Sequence, residues 1–152
     1  MNDKVFKTED EDRIVYTLNG KPHREDGPAV EYADGSKYWY FHGKLHREDG
    51  PAIEYSNGTK HWYFHGLLHR ENGPASEFAE GNKNWYLYGN LHVIESVYGD
   101  KYWYLNDRRH RVDGPAIEWH NGNKEYWVND QYLDFITSDQ MLIYYLKYGF
   151  LK

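Results

Sequence analysis

The chain has 152 residues, a net charge of −6 and no cysteine, so it has the size of one domain and contains neither disulfides nor thiol chemistry. Its acidic balance excludes the general basic footprint of a nucleic-acid-binding protein. Hydrophobic residues make up 39% of the chain, few for a thick core, but the 18% aromatic share favours a two-sided sheet carrying large rings. The lack of cysteine suits a reducing compartment, so we expect a cytoplasmic protein without a cofactor.

Residues 1–12 form a polar, acidic segment with no apolar signal core. No segment of the chain approaches the ~18 consecutive apolar residues that a membrane span needs. We therefore expect no membrane insertion.

Residues 13–131 consist of a repeat with a period of 23 residues. The segment His-Arg-Glu-Asp-Gly-Pro-Ala begins at His23 and again at His46. Close variants begin at His69 and at His110, the last after a unit that is shortened near residues 91–100. Such a period is typical of one supersecondary unit stacked on copies of itself. It favours a broad recognition surface over a single deep pocket.

Each repeat is predicted to contain two strands and two turns. Residues 51–55 and 60–64 flank the turn Asn57-Gly58, and a second turn follows at His65-Gly66. Such dipeptides tolerate the positive φ values of two-residue type I′ turns. Because turns this frequent leave no room for crossover helices, the predicted fold is mainly β, an elongated antiparallel meander of tandem β-hairpin repeats.

A two-residue turn at Asp34-Gly35 would pair Val30 with Trp39 and Glu31 with Tyr38. Strand alternation would then place Val30 and Trp39 on a buried face, with Tyr38 and its equivalent His61 facing solvent. On the solvent face we expect an aromatic column and a glutamate column. The aromatic column consists of Tyr40, Tyr63, Tyr86, Tyr104 and Trp127, and the glutamate column includes Glu31, Glu54, Glu77 and Glu118.

Tyrosine and tryptophan are favoured anchors at interfaces, so the aromatic column is predicted to bind a protein partner. The acidic column beside it would suit a partner with a basic surface. Structure alone is the alternative, since aromatic residues suit strands intrinsically. More generally, the Glu column and the matching Lys column are expected to form cross-strand charge pairs on a solvated sheet.

The His-Arg-x-Asp motif allows three interpretations. The structural one is that Arg pairs with Asp, Asp-Gly opens a bend, and Pro begins the next strand. A second is anion recognition by the repeated arginines, and the weakest is a His–Asp acid–base pair. Those arginines are Arg24, Arg47, Arg70 and Arg111. Equivalent histidines lie at least ~9–10 Å apart across two strands, too far to share one metal ion, so we expect no metal site. A catalytic site copied in each repeat along a sheet is improbable, so we also expect no catalytic residue.

The segments from Tyr32 to Ser36 and from His42 to His46 resemble the Tyr-x-Asp-Gly hairpin and the Gly-Lys turn of MORN (membrane occupation and recognition nexus) repeats. The likeness covers roughly residues 13–131, in a variant form similar to repeat proteins of bacteria, large phages and giant viruses. It implies a curved sheet that serves as a scaffold, a partner-binding surface or a dimerisation element.

Residues 132–152 break the period. Ser138 or Asp139 as an N-cap and Gly149 beyond the last turn predict an α-helix of about ten residues that caps the sheet. Dimerisation or partner docking is the alternative role for this helix.

The leading hypothesis is a non-enzymatic protein-binding module, in the setting of a phage or bacterial accessory protein that inhibits a host or defence factor. The alternative is a sponge-like protein that binds a nucleotide or another small anion through the arginine column. A hydrolase that uses a His–Asp pair is the weaker alternative. A homodimer is compatible with all three.

Overall fold

The computed structural model of the chain describes residues 4–134. Every regular element in this range is a β-strand, and the strands pair antiparallel in hairpins, which confirms the predicted mainly-β fold. The chain divides into two compact units, one up to Gly89 and the other from Asn90 onward. The helix predicted around residues 138–149 lies outside the described residues.

Within residues 4–89, the described part of the first unit, there are thirteen strands. They are β1 Phe6–Glu9, β2 Arg13–Leu18, β3 Lys21–Pro22, β4 Val30–Tyr32, β5 Lys37–Tyr38, β6 Tyr40–Phe41, β7 Lys44–Leu45, β8 Ile53–Glu54, β9 Lys60–His61, β10 Tyr63–Phe64, β11 Leu67–Leu68, β12 Ser76–Glu77 and β13 Lys83–Leu87. The main sheet has the order β1-β2-β4-β5-β8-β9-β12-β13, while β6–β7 and β10–β11 form separate hairpins. Strand β1 lies in the polar N-terminal segment.

The second unit has six strands in its described residues, 90–134. Their order in the sheet is β14-β15-β17-β18-β19, with β16 paired to β15. They are β14 Asn90–Glu95, β15 Lys101–Leu105, β16 Arg108–Arg109, β17 Ile117–Glu118, β18 Lys124–Val128 and β19 Gln131–Leu133.

The first turn of each repeat is one residue longer than predicted. The N–H of Gly35 donates to the carbonyl of Tyr32, and the N–H of Tyr32 donates to the carbonyl of Ser36, both at 2.9 Å. This is a three-residue loop in which Gly35, at φ +91°, supplies the left-handed position of a bulge. The register therefore pairs Val30 with Tyr38.

This register overturns the predicted faces, because a shift of one residue moves every side chain to the other side of a strand. Tyr38 shares the face of the buried Val30, whereas we expected it to face solvent. Its equivalent His61 is half-buried and bonds Ser76 Oγ through Nδ1 at 2.9 Å. The prediction that Trp39 shares the buried face of Val30 was therefore wrong, because Tyr38 takes that position.

The second turn of each repeat does have two residues, as predicted. His42 and Gly43 adopt φ values of +49° and +82° between β6 and β7, as a type I′ turn requires. The predicted charge columns are also confirmed as cross-strand neighbours. In the first unit the pairs run Glu31–Lys37, Lys37–Glu54, Glu54–Lys60, Lys60–Glu77 and Glu77–Lys83.

The core is thin. Its most deeply buried positions are the alanines of the Gly-Pro-Ala segments, and no large side chain among residues 4–134 is fully buried. Those alanines are Ala29, Ala52, Ala75 and Ala116, each 0% exposed. The Ala52 carbonyl also accepts the N–H of Trp39 at 2.8 Å, which ties this position to the neighbouring strand.

Replacing Ala52 by Leu should lower the free energy of unfolding by about 1–3 kcal/mol, because a site without free space forces its neighbours apart. The matched control is Ala33→Leu in an exposed turn, with an expected change within about ±0.5 kcal/mol. Urea unfolding followed by tryptophan fluorescence measures both. Equal losses in the two variants would contradict the burial of Ala52.

Candidate functional site

The guanidinium of the arginine in each repeated His-Arg motif lies over an aromatic ring. The Arg47 guanidinium is 4.0 Å from the centre of the Trp39 ring. Its Nε donates to Asp49 at 2.8 Å, and its Nη1 donates to the Pro51 carbonyl at 3.3 Å and to Glu54 at 3.0 Å. The same stacking recurs for Arg24 on Tyr16, Arg70 on Trp62 and Arg111 on Trp103.

The glycine of the motif leaves room for this guanidinium. A Cβ atom at Gly50 would lie 2.9 Å from Arg47 Cζ, closer than unbonded carbon atoms approach. The motif thus has a structural account: Arg stacks, Asp and the Pro carbonyl accept its hydrogen bonds, Gly leaves space, and Ala is buried. The structural interpretation of the motif agrees with these contacts.

Two alternative roles of the motif find less support in this geometry. The predicted anion-binding residues Arg24, Arg47, Arg70 and Arg111 each already bind a glutamate, so an incoming anion would have to displace a carboxylate. A His–Asp acid–base pair is not formed in the second repeat either, because Asp49 binds Arg47 rather than His46.

The histidine of the motif joins one repeat to the next. His46 Nδ1 accepts the N–H of His65 at 3.2 Å, and the two rings stack with centres 4.4 Å apart and planes 8° from parallel. Equivalent bonds join His23 to His42, His69 to Tyr88 and His110 to Asn129. An acceptor at Nδ1 requires the neutral ring. Burial, and then the nearby His65, lower the pKa of His46.

A second contact between repeats was not predicted. The Ser36 hydroxyl accepts the N–H of Ser56 at 3.0 Å, and the Thr59 hydroxyl accepts the N–H of Ala79 at 3.1 Å. In the second unit Asp100 takes this role and accepts the N–H of His120 at 2.7 Å, a bond that lowers the Asp100 pKa. The sequence signal was available, since each acceptor directly follows a turn glycine.

On the other face of the first unit, five rings form a continuous row across three repeats, which we call the aromatic file. It consists of Tyr32, Tyr38, Tyr55, His61 and Phe78, with successive ring centres 5.4–5.8 Å apart. The rings meet edge to face, the arrangement that aromatic quadrupoles favour. Burial, followed by a hydrogen bond with Tyr55, raises the pKa of Tyr38. Tyr32 and Tyr55 remain 37% and 38% exposed.

The predicted aromatic column divides between the two units. Tyr40, Tyr63 and Tyr86 are half-buried. Burial, followed by nearby tyrosines that include Tyr55 of the file, raises the pKa of Tyr40 and of Tyr63. In the second unit Tyr104 pairs with Arg109 across the strands. The Arg109 guanidinium also lies over the Trp127 ring, 3.7 Å from its centre.

The predicted acidic rim is not beside these tyrosines. In the first unit Glu31 and Glu54 alternate along their strands with Val30 and Ile53, so they point to the other face, where they bind arginine. Glu77 and Glu118 bind Arg70 and Arg111 in the same way. The face predicted to hold both columns therefore holds only the aromatic one.

Highly exposed carboxylates lie in the motif loops. The side chains of Glu25, Asp26, Glu48 and Asp49 are 78–83% exposed. The cleft between these two loops has a volume of about 800 Å³. Its lining includes those four carboxylates, the guanidinium groups of Arg24 and Arg47, and the rings of Trp39 and Phe41. A similar cleft of about 460 Å³ lies between the next two loops. Carboxylates outnumber arginines in both clefts, and this excess favours cationic groups over the anionic ligand of our alternative hypothesis.

No group of three or more histidine, aspartate or glutamate residues within residues 4–134 is arranged to hold a metal ion. The same part of the chain has no helix with the length and hydropathy to cross a membrane. Comparison of the chain with protein-family models, with curated proteins and with solved structures yields no match.

Replacing Arg47 by Lys should lower the free energy of unfolding by about 1–3 kcal/mol. Lysine keeps the charge but loses the flat stack on Trp39 and the divided hydrogen bonds of the guanidinium. Lys60→Arg, the matched control on the same face, should change stability by no more than about 0.5 kcal/mol. Urea unfolding measures both variants, and an unchanged midpoint for Arg47→Lys would contradict a structural role for the stack.

The stability of the protein should fall as the pH drops through 6.5, the ordinary His pKa from which His46 is lowered. The unfolded chain then binds the proton first, so the stabilisation by neutral His46 is complete above that pH and is lost toward the lower folded pKa. His46→Asn keeps an acceptor without a titrating group and should flatten this decline between about pH 7.5 and 5.5. Histidine NMR titration gives the pKa directly, and a His46 midpoint at or above 6.5 would refute the prediction.

Proposed function

We propose that the protein is a non-enzymatic module that binds another protein, with the aromatic file and the adjoining Tyr40, Tyr63 and Tyr86 as its contact surface. The observation that carries this proposal is the file itself, a row of rings with partly exposed members at Tyr32 and Tyr55. Rings of this kind offer a large contact area at small entropic cost, because each has few rotatable bonds. Exposed aromatic patches are rare on proteins that have no partner.

Charge supports a basic partner. The chain carries a net charge of −6, and highly exposed carboxylates such as Glu25 and Glu48 project from the motif loops. Their field would steer a positively charged protein toward the sheet and repel free nucleic acid. Inhibition of a host or defence factor by a phage or bacterial accessory protein is the setting that the MORN resemblance suggests.

The test is affinity capture from an extract of the native host, read by mass spectrometry, with wild type and two matched double variants as bait. Tyr32→Ser with Tyr55→Ser removes exposed rings of the file and should abolish capture of a partner that wild type retains, since such anchors each contribute about 2 kcal/mol or more. Lys37→Ser with Lys60→Ser alters neighbouring strands on the opposite face and should leave capture intact.

Urea unfolding of all baits separates loss of binding from loss of fold. If the folded tyrosine variant captures the partner as well as wild type does, or if only the lysine variant fails, the aromatic file is not the binding surface.

A further inference from the structure

Strand β1 forms the edge of the sheet in the first unit. It pairs with β2, and no other strand in residues 4–134 pairs with it. All four residues of β1 are exposed, and Phe6 is 58% exposed. An exposed edge presents unpaired backbone groups, so proteins usually cover it or blunt it.

The backbone groups that face outward on β1 are those of Lys7 and Glu9. The Asp10 N–H donates to the Arg13 carbonyl at 3.0 Å, and by the alternation of an antiparallel ladder Thr8 bonds its own partner Val15 on β2. Lys7 lies opposite Tyr16, whose N–H donates to Ala29 on the far side of β2. Lys7 and Glu9 therefore direct their N–H and C=O groups away from the sheet.

Lys7 and Glu9 carry opposite charges, so the edge of one copy is complementary to the same edge of a second copy. We propose that two copies of the chain associate by antiparallel pairing of β1 with β1, with Lys7 opposite Glu9 of the other copy and the two-fold axis passing between the Thr8 residues. Only residues with outward backbone groups can exchange hydrogen bonds. Of the registers they allow, this one places opposite charges across the interface, whereas the adjacent one sets Lys7 against Lys7. The Thr8–Thr8 contact that results is itself a favourable cross-strand pair.

Charge makes the edge selective. A lysine in the middle of an edge strand discourages most added strands, because pairing would bring the charge against an uncharged neighbour. Glu9 of a second copy neutralises Lys7. Lys7 therefore disfavours pairing with other strands but allows pairing with β1 of a second copy. Lys7 and Glu9 already attract each other within one chain, with Nζ 2.7 Å from Oε2, and pairing exchanges that exposed contact for contacts between copies.

The association is closed, because both copies use the same β1 edge and neither β1 remains open to a third copy. Residues that lie opposite each other share a face, and Thr8, Val15 and Val30 are linked across β1, β2 and β4. The face that carries the aromatic file would thus continue from one copy into the other. A partner with two equivalent sites would then bind more tightly than to one copy alone.

The first test uses cysteine, which the natural chain lacks. Across the two-fold axis the Thr8 Cα atoms would be about 4.5 Å apart, within disulfide reach. Thr8→Cys should therefore form a disulfide-linked dimer under mild oxidation at least ~10-fold faster than Phe6→Cys, whose two copies would lie roughly 13 Å apart along the strands. Equal rates for the two variants, or none for Thr8→Cys, would overturn the pairing.

The second test exchanges charges and uses sedimentation equilibrium of the full chain. Wild type should rise toward twice its 18.2 kDa mass as its concentration approaches roughly 0.1–1 mM, since a contact this small is weak. Lys7→Glu alone and Glu9→Lys alone should each stay monomeric, because like charges then face each other, while an equimolar mixture of the two should dimerise. Wild type that stays monomeric, single variants that dimerise like wild type, or a mixture that does not dimerise would each refute the proposal.

Discussion

The placement of a guanidinium between an aromatic ring and a glycine is the contact on which the repeat depends. Arg47 reaches back from its loop onto Trp39, and the absence of a side chain at Gly50 allows that approach. A cation desolvated on one side by a ring still needs hydrogen-bond acceptors, and the Asp49 carboxylate and the Pro51 carbonyl supply them. One side chain therefore determines the path of the whole loop, and this explains why the loop residues recur together.

This arrangement replaces a conventional core. Because only small residues such as Ala52 are fully enclosed, hydrophobic burial within one repeat is limited, and stability has to come from contacts repeated between neighbours. The imidazole of His46 and the hydroxyl of Ser36 each bind a backbone N–H about one repeat further along the chain. They satisfy turn N–H groups that the short strands leave without a ladder partner. Because protonation of an imidazole removes its acceptor nitrogen, the contacts that His46 makes between repeats depend on pH.

Sequence patterns predicted the elements well and the faces poorly, for one physical reason. Period, turn positions and charge columns depend on residue spacing, and these agree with the strands. An Asp-Gly dipeptide, however, fits either a two-residue turn or the last two residues of a three-residue loop, and the two differ by one residue in register. The shift of one residue in register places Tyr38 on the face predicted for Trp39, and Trp39 on the face predicted for Tyr38. The Arg47–Trp39 stack and the His46–His65 contact join distant parts of the chain, so spacing alone could not reveal them.

The two faces of the sheet differ in what they leave for a partner. On the face of Trp39, guanidinium and carboxylate groups satisfy one another, so a ligand there would have to break contacts that hold the loops in place. On the other face the rings meet edge to face without ion pairs, and Tyr55 keeps more than a third of its surface in water. Covering that surface would cost no ion pair and would remove apolar area from water. If the protein binds a partner as proposed, recognition is therefore least costly on the aromatic side, while the charged motif holds its own loops in place.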